Sequence, residues 1–122
     1  MDDSSLANTL RWTDNIVYFS ISKGNGTNMY KTEDDHIRLY KNNNFTVFID
    51  ARYKIHQITY HLPVNSSADT VTKFANIFKA DGHTPIIEGT NVTITVPGIN
   101  SVPYTNTTGS TIKLTGVTVA YK

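Results

Sequence analysis

The sequence predicts an all-β protein, an antiparallel two-sheet sandwich or jelly roll, and three observations lead there. Over residues 35–62, Ile37 and Leu39 alternate with His36, Arg38 and Tyr40, and Phe45, Val47 and Ile49 alternate with Thr46, Phe48 and Asp50. Ile58, Tyr60 and Leu62 then alternate with Thr59 and His61, and the same period returns over 111–121. A period of two puts successive side chains on opposite faces of a pleated strand, one buried and one wet. Third, Thr and Asn supply about a quarter of the chain, a bias that suits half-exposed strands joined by turns.

Each element follows from its own residues. Residues 1–14 read as a loosely held polar lead-in broken by Leu10-Arg11-Trp12, with one sandwich domain over 15–122. Ile16-Val17-Tyr18-Phe19-Ser20-Ile21 forms the first strand, ended by the turn-rich Lys23-Gly24-Asn25-Gly26. The strand around 37–40 is joined to Phe45 and its successors by the polar Lys41-Asn42-Asn43-Asn44, as in a β-hairpin. The apolar phase slips between Ile55 and Ile58, as at a β-bulge or a bend between two strands.

Residues 69–80 allow two readings. Val71, Phe74, Ile77 and Phe78 lie at helical spacing, with Asp69 placed to cap the start and Gly82 to end it. In period two, Phe74, Asn76 and Phe78 would share a strand face, and the β surroundings favour a strand or irregular segment. Val92, Ile94 and Val96 make a strand closed by Pro97-Gly98, and 100–109 is a long polar loop. The last strand carries Ile112, Leu114, Val117, Val119 and Tyr121, with a phase shift at Gly116 that fits a bulge.

At 122 residues the chain has room for a single hydrophobic core. A net charge of +1 builds neither a basic stripe for nucleic acid nor a polybasic patch for a membrane surface. No apolar run is long enough for a transmembrane helix. The absence of cysteine excludes disulfides, thiolate nucleophiles and Cys-ligated metals.

Three segments carry a resemblance. They are Asp35-His36-Ile37-Arg38-Leu39-Tyr40 running on through Val47, then Tyr53-Lys54-Ile55-His56-Gln57-Ile58-Thr59-Tyr60, then Thr111 through Tyr121. Together with the Gly24-Asn25-Gly26-Thr27 loop they resemble a β-sandwich accessory module, similar to carbohydrate-binding modules, of secreted and surface proteins of Firmicutes and Bacteroidetes. Ile86-Ile87-Glu88-Gly89 departs from the pattern, standing where such modules place a Trp-Thr-Gly step. The resemblance implies a noncatalytic module, part of a larger multidomain chain, at a cell surface or in the secreted fraction. It implies a glycan or a host-surface protein as partner. The N-terminus has neither the charged end nor the apolar core of a signal peptide, which leaves an intracellular protein or a module cut from a longer secreted chain and given a new initiator Met; the resemblance, not the N-terminus, implies the second.

Candidate chemistry is sparse. Glu33, Asp34 and Asp35 form the densest set of ligand-type groups, and calcium is the cation such carboxylates would hold, although the spacing of a dedicated calcium loop is missing. The histidines match no zinc spacing and read as surface residues. No nucleophile elbow is present, so the chain is expected not to be an enzyme.

A glycan site needs a planar aromatic ringed by amides and hydroxyls, and two places supply one. The first is the hairpin with Tyr40, Asn42, Asn43, Asn44 and Phe48, where Phe48 falls on the wet phase of its strand. The second is the 100–109 loop with Tyr104 and Asn106, preferred because binding residues concentrate on loops. The competing role for Tyr104 is to pack down and anchor that loop. Two further functions remain open: a structural or adhesive stalk that binds protein or spaces its neighbours, and a viral or phage surface protein that oligomerises through its sandwich.

Overall fold

The computed structural model describes residues 16–122 and the backbone of Asp3–Asn8, and every structural statement below concerns these. The chain forms strands β1 (Asp3–Asn8), β2 (Val17–Ser22), β3 (Lys31–Thr32), β4 (Ile37–Leu39), β5 (Asn44–Ile49) and β6 (Ile55–His61). Helix α1 (Ala68–Ala80) follows, then β7 (Ile86–Glu88), β8 (Asn91–Ile99), β9 (Ser101–Thr105), β10 (Ile112–Leu114) and β11 (Gly116–Tyr121). All pairings are antiparallel, in a five-stranded sheet ordered β1-β11-β6-β8-β7 and two three-stranded sheets, β10-β4-β3 and β2-β5-β9. The all-β expectation holds, with one short helix.

The alternating residues make the core. Phe45, Val47, Ile58, Tyr60, Val92, Ile94, Leu114, Val117 and Val119 are fully buried, and Ile49 nearly so. Rings dominate its centre. Tyr60 meets Phe45 edge-on, and Phe74 and Phe78 of α1 pack on both Tyr60 and Tyr104 with centroids 4.6–5.4 Å apart. The helix therefore plugs the space between the five-stranded sheet and the β2-β5-β9 sheet.

The helical reading of 69–80 prevails because Val71, Phe74, Ala75 and Phe78 fall on one buried face. Its cap is Ser67, whose Oγ accepts from the Thr70 amide, and not Asp69. Asp69 instead pairs with Lys73 one turn on, at 3.1 Å.

Five stretches differ from the sequence reading. Strands β4 and β5 are not a hairpin, since β4 pairs with β3 and β10 while β5 pairs with β2 and β9, so Lys41-Asn42-Asn43 carries the chain from one sheet to another. The phase shift at Gly116 is likewise a change of sheet, with Thr115 donating to the His61 carbonyl at the crossing. Strand β8 continues through Pro97-Gly98, where the pairing jumps from Gln57–Thr95 to Ile55–Ile99. Gly98 takes a φ of +85° there, and β8 bends into β9 through Asn100. Much of the supposed 100–109 loop is thus β9, paired in register with β5. Finally, 3–8 of the expected lead-in form β1 on β11, while Leu10-Arg11-Trp12 lies outside the described residues.

Candidate functional site

Strand β5 turns Phe45, Val47 and Ile49 inward, which leaves Asn44, Thr46 and Phe48 on the outer face of its sheet. Its neighbours follow the same phase. Val17, Phe19 and Ile21 of β2 face in, so Tyr18, Ser20 and Ser22 face out, and on β9 Val102 and Tyr104 face in while Ser101, Pro103 and Thr105 face out. Register stacks the outward residues in three rows: Tyr18–Phe48–Ser101, Ser20–Thr46–Pro103 and Ser22–Asn44–Thr105.

The first row carries an aromatic platform. The Tyr18 and Phe48 rings stack with centroids 5.5 Å apart and planes 20° from parallel, and Phe48 keeps 36% exposure. The third row is hydrogen-bonded across all three strands. Asn44 Nδ2 donates to Ser22 Oγ at 3.1 Å, and Thr105 Oγ1 donates to Asn44 Oδ1 at 2.6 Å. Beyond it a hollow of about 320 Å³ is walled by Gly24, Asn25, Asn42, Asn44 and Thr105. Beyond the first row Asp50 is tied to Arg52 at 2.8 Å, and that hydrogen bond holds the Asp50 carboxyl below its ordinary range.

Of the expected ligand residues, Phe48 is where a ligand could reach it. Tyr104 is not: at 1% exposure it is packed between Phe74 and Phe78, so it anchors β9 and cannot stack on a sugar. Asn106 is fully buried for a structural reason. Its Nδ2 donates to the carbonyls of Leu39 and Ser110, and its Oδ1 accepts from the amide and hydroxyl of Thr108. Asn43 is also fully buried, donating to the Lys23 and Asn28 carbonyls and accepting from the Tyr40 amide. Both side chains tie together backbone segments far apart in the chain, and these bonds compensate their own burial. Tyr40 is half-buried and lines a separate hollow with Asn28, Met29 and Lys31.

The acidic residues expected to hold calcium are spread along a turn. Glu33, Asp34 and Asp35 lie on the turn between β3 and β4, and no group of acidic, His or Cys side chains among the described residues converges on a cation position. Asp35 instead meets His36 Nδ1 at 2.6 Å, and this hydrogen bond lowers its pKa. Arg38 Nε donates to His36 Nε2 at 3.0 Å; an arginine can only donate, so the ring hydrogen sits on Nδ1 and points at Asp35.

Two arrangements escaped the sequence reading. One is the row structure itself, because nothing in the residues announces that β2 pairs with β5. The alternation of Val17, Phe19 and Ile21 with Tyr18, Ser20 and Ser22 was legible, but the partner strand was not. The other is a relay on the five-stranded sheet, where His61 bonds Asn91 Oδ1 through Nδ1 at 2.9 Å and Thr118 Oγ1 through Nε2 at 2.8 Å. It has the outline of a nucleophile, base and orienting amide. It lies where β6 ends and β8 begins, however, and the adjacent Leu62 and Thr115 N–H groups already donate to the Thr90 and His61 carbonyls, so they are not free to form an oxyanion hole. No family model matches this sequence, and no curated protein matches it.

Proposed function

We propose that the chain is a noncatalytic binding module of a secreted or cell-surface protein, and that it takes a glycan on the outer face of the β2-β5-β9 sheet. The observation that carries this reading is the stacked, outward Tyr18–Phe48 pair bordered by Ser20, Thr46 and Ser101. An aromatic face buries the apolar side of a sugar ring while nearby hydroxyls and amides exchange hydrogen bonds with its hydroxyls. The face is poorly furnished for hydrolysis. Glycoside cleavage needs two carboxyls flanking the bond, and Asp50, bordering the platform, is kept ionised by Arg52.

Affinity electrophoresis of the intact chain through gels containing dissolved polysaccharides tests the proposal. Wild type should be retarded by at least one polysaccharide, and Phe48→Ala, with an unchanged melting curve, should lose that retardation. Equal retardation of the variant, or none of wild type on any polysaccharide, would overturn the proposal.

A further inference from the structure

We infer that the three rows form one extended site for a linear, neutral oligosaccharide of about three rings, with its far ring held in the hollow walled by Asn25 and Asn42. This rests on the glycan reading above and adds length, polarity and charge to it.

Length comes from the strand. Phe48 and Asn44 are four residues apart on β5, so the platform and the third row are separated by about 13 Å along the sheet. A single ring cannot reach both, whereas a short chain running along β5 can. The middle row offers Ser20 and Thr46 hydroxyls beside the compact ring of Pro103, short side chains over which a chain can cross.

The far end is built to hold something polar. The side-chain amides of Asn25 and Asn42 make no hydrogen bond among the described residues, and both line the hollow. Asn44, in the same wall, has one N–H and one lone pair left after its bonds to Ser22 and Thr105.

These walls are held in advance. A Cβ on Gly26 would stand 2.6 Å from the Lys41 carbonyl and 2.8 Å from Asn43 Nδ2, so only glycine lets the 24–26 loop press on the 41–44 connector. Asn42 has a φ of +66°, and its backbone N–H donates to the Asn106 backbone carbonyl at 2.6 Å. Preorganised walls lose little entropy when they bind. Buried Asn43 and Asn106 thereby serve the site indirectly, as positioning residues.

Neutrality comes from the lining. Gly24, Asn25, Asn42, Asn44 and Thr105 carry no ionisable side chain, so a uronate or sulfate would enter the hollow without a countercharge.

Isothermal titration of the intact chain with cello-, xylo-, manno- and galacto-oligosaccharides of one to six units, and with oligogalacturonates, tests this. In the series that binds, affinity should rise at least tenfold from one unit to three and then level off. Asn25→Ala and Asn42→Gly, the latter chosen to keep the backbone unstrained, should each weaken the trimer about fivefold and leave the dimer unchanged. Phe48→Ala should weaken every length. A plateau at one or two units, a continued rise to six, or full trimer binding by both asparagine variants would overturn the extended site and leave the platform standing. Preference for the galacturonates would overturn neutrality, and no binding by any sugar would overturn the glycan reading itself.

Discussion

Tyr104 shows how one side chain is misjudged when only its neighbours in sequence are known. It sits among Thr, Asn, Pro and Ser, the company of an exposed loop, yet Val102 lies two residues before it and shares its inward face. The decisive fact is Phe74 and Phe78 waiting on the helix. Burial has a cost, because the Tyr104 and Tyr60 hydroxyls have no hydrogen-bond partner among the described residues, and their desolvation pushes both phenols far above their ordinary range. Removing the Tyr104 hydroxyl should therefore do no harm. Tyr104→Phe is expected to leave stability unchanged or raise it by about 1 kcal/mol. Tyr104→Ala should cost about 3–5 kcal/mol, since it empties the space between the two rings. Urea unfolding of both variants checks this, and a large loss from Tyr104→Phe would mean that the hydroxyl has a partner after all.

At the scale of elements, the bend in β8 decides where the candidate site can exist. Val96, Pro97 and Gly98 lie opposite the single residue His56, and this extra length lets one continuous segment leave the five-stranded sheet and enter the other as β9. Without the bend, Ser101, Pro103 and Thr105 would not complete the three rows. Pro103 suits its place. Ile49 donates to the Asn100 carbonyl and Asn106 donates to the Asn43 carbonyl; the alternation between those bonds turns the Pro103 nitrogen to the free edge of β9, where no partner asks for a hydrogen. Gly98 is the vulnerable point, with a φ of +85° and a missing Cβ that would stand 3.1 Å from His56 Cε1. Gly98→Ala should cost about 1–3 kcal/mol, and in the same thermal melts Pro97→Ala should cost less. Equal, negligible losses would show that the bend does not depend on Gly98.

The whole molecule is a sandwich whose core is assembled from every sheet and closed by the helix. Ile94 and Val117 lie in the five-stranded sheet and are fully buried, on strands that flank β6. Truncation at either should cost about 2–4 kcal/mol, because a packed interior collapses only partly around a lost side chain. Losses below half that range in urea unfolding of both Ile94→Ala and Val117→Ala would mean that the inward faces have been misassigned. Among the described residues, two adjacent isoleucines also stay outside this core. Ile86 and Ile87, 56% and 45% exposed, lie on β7 at the edge of the five-stranded sheet, and the short length of that strand limits what could pair with it.

The strands and their inward faces could be read from the sequence, because a period of two is a local property and burial follows it directly. Phe48 was legible as an outward aromatic for the same reason. Helix α1 was half legible: its spacing is helical, but its burial depends on Tyr60 and Tyr104, which approach only in the fold. Strand partners were not legible at all. A turn-like Lys41-Asn42-Asn43-Asn44 joins a hairpin or crosses between sheets with the same residues, and the choice rests on contacts such as Asn106 on Leu39, far apart in the chain. Tertiary structure alone therefore decided that Tyr18 stacks on Phe48, that Asn43 and Asn106 are internal, and that the three carboxylates at 33–35 do not converge. Side-chain identity sets which face of a strand is wet, but only long-range pairing sets which wet residues become neighbours.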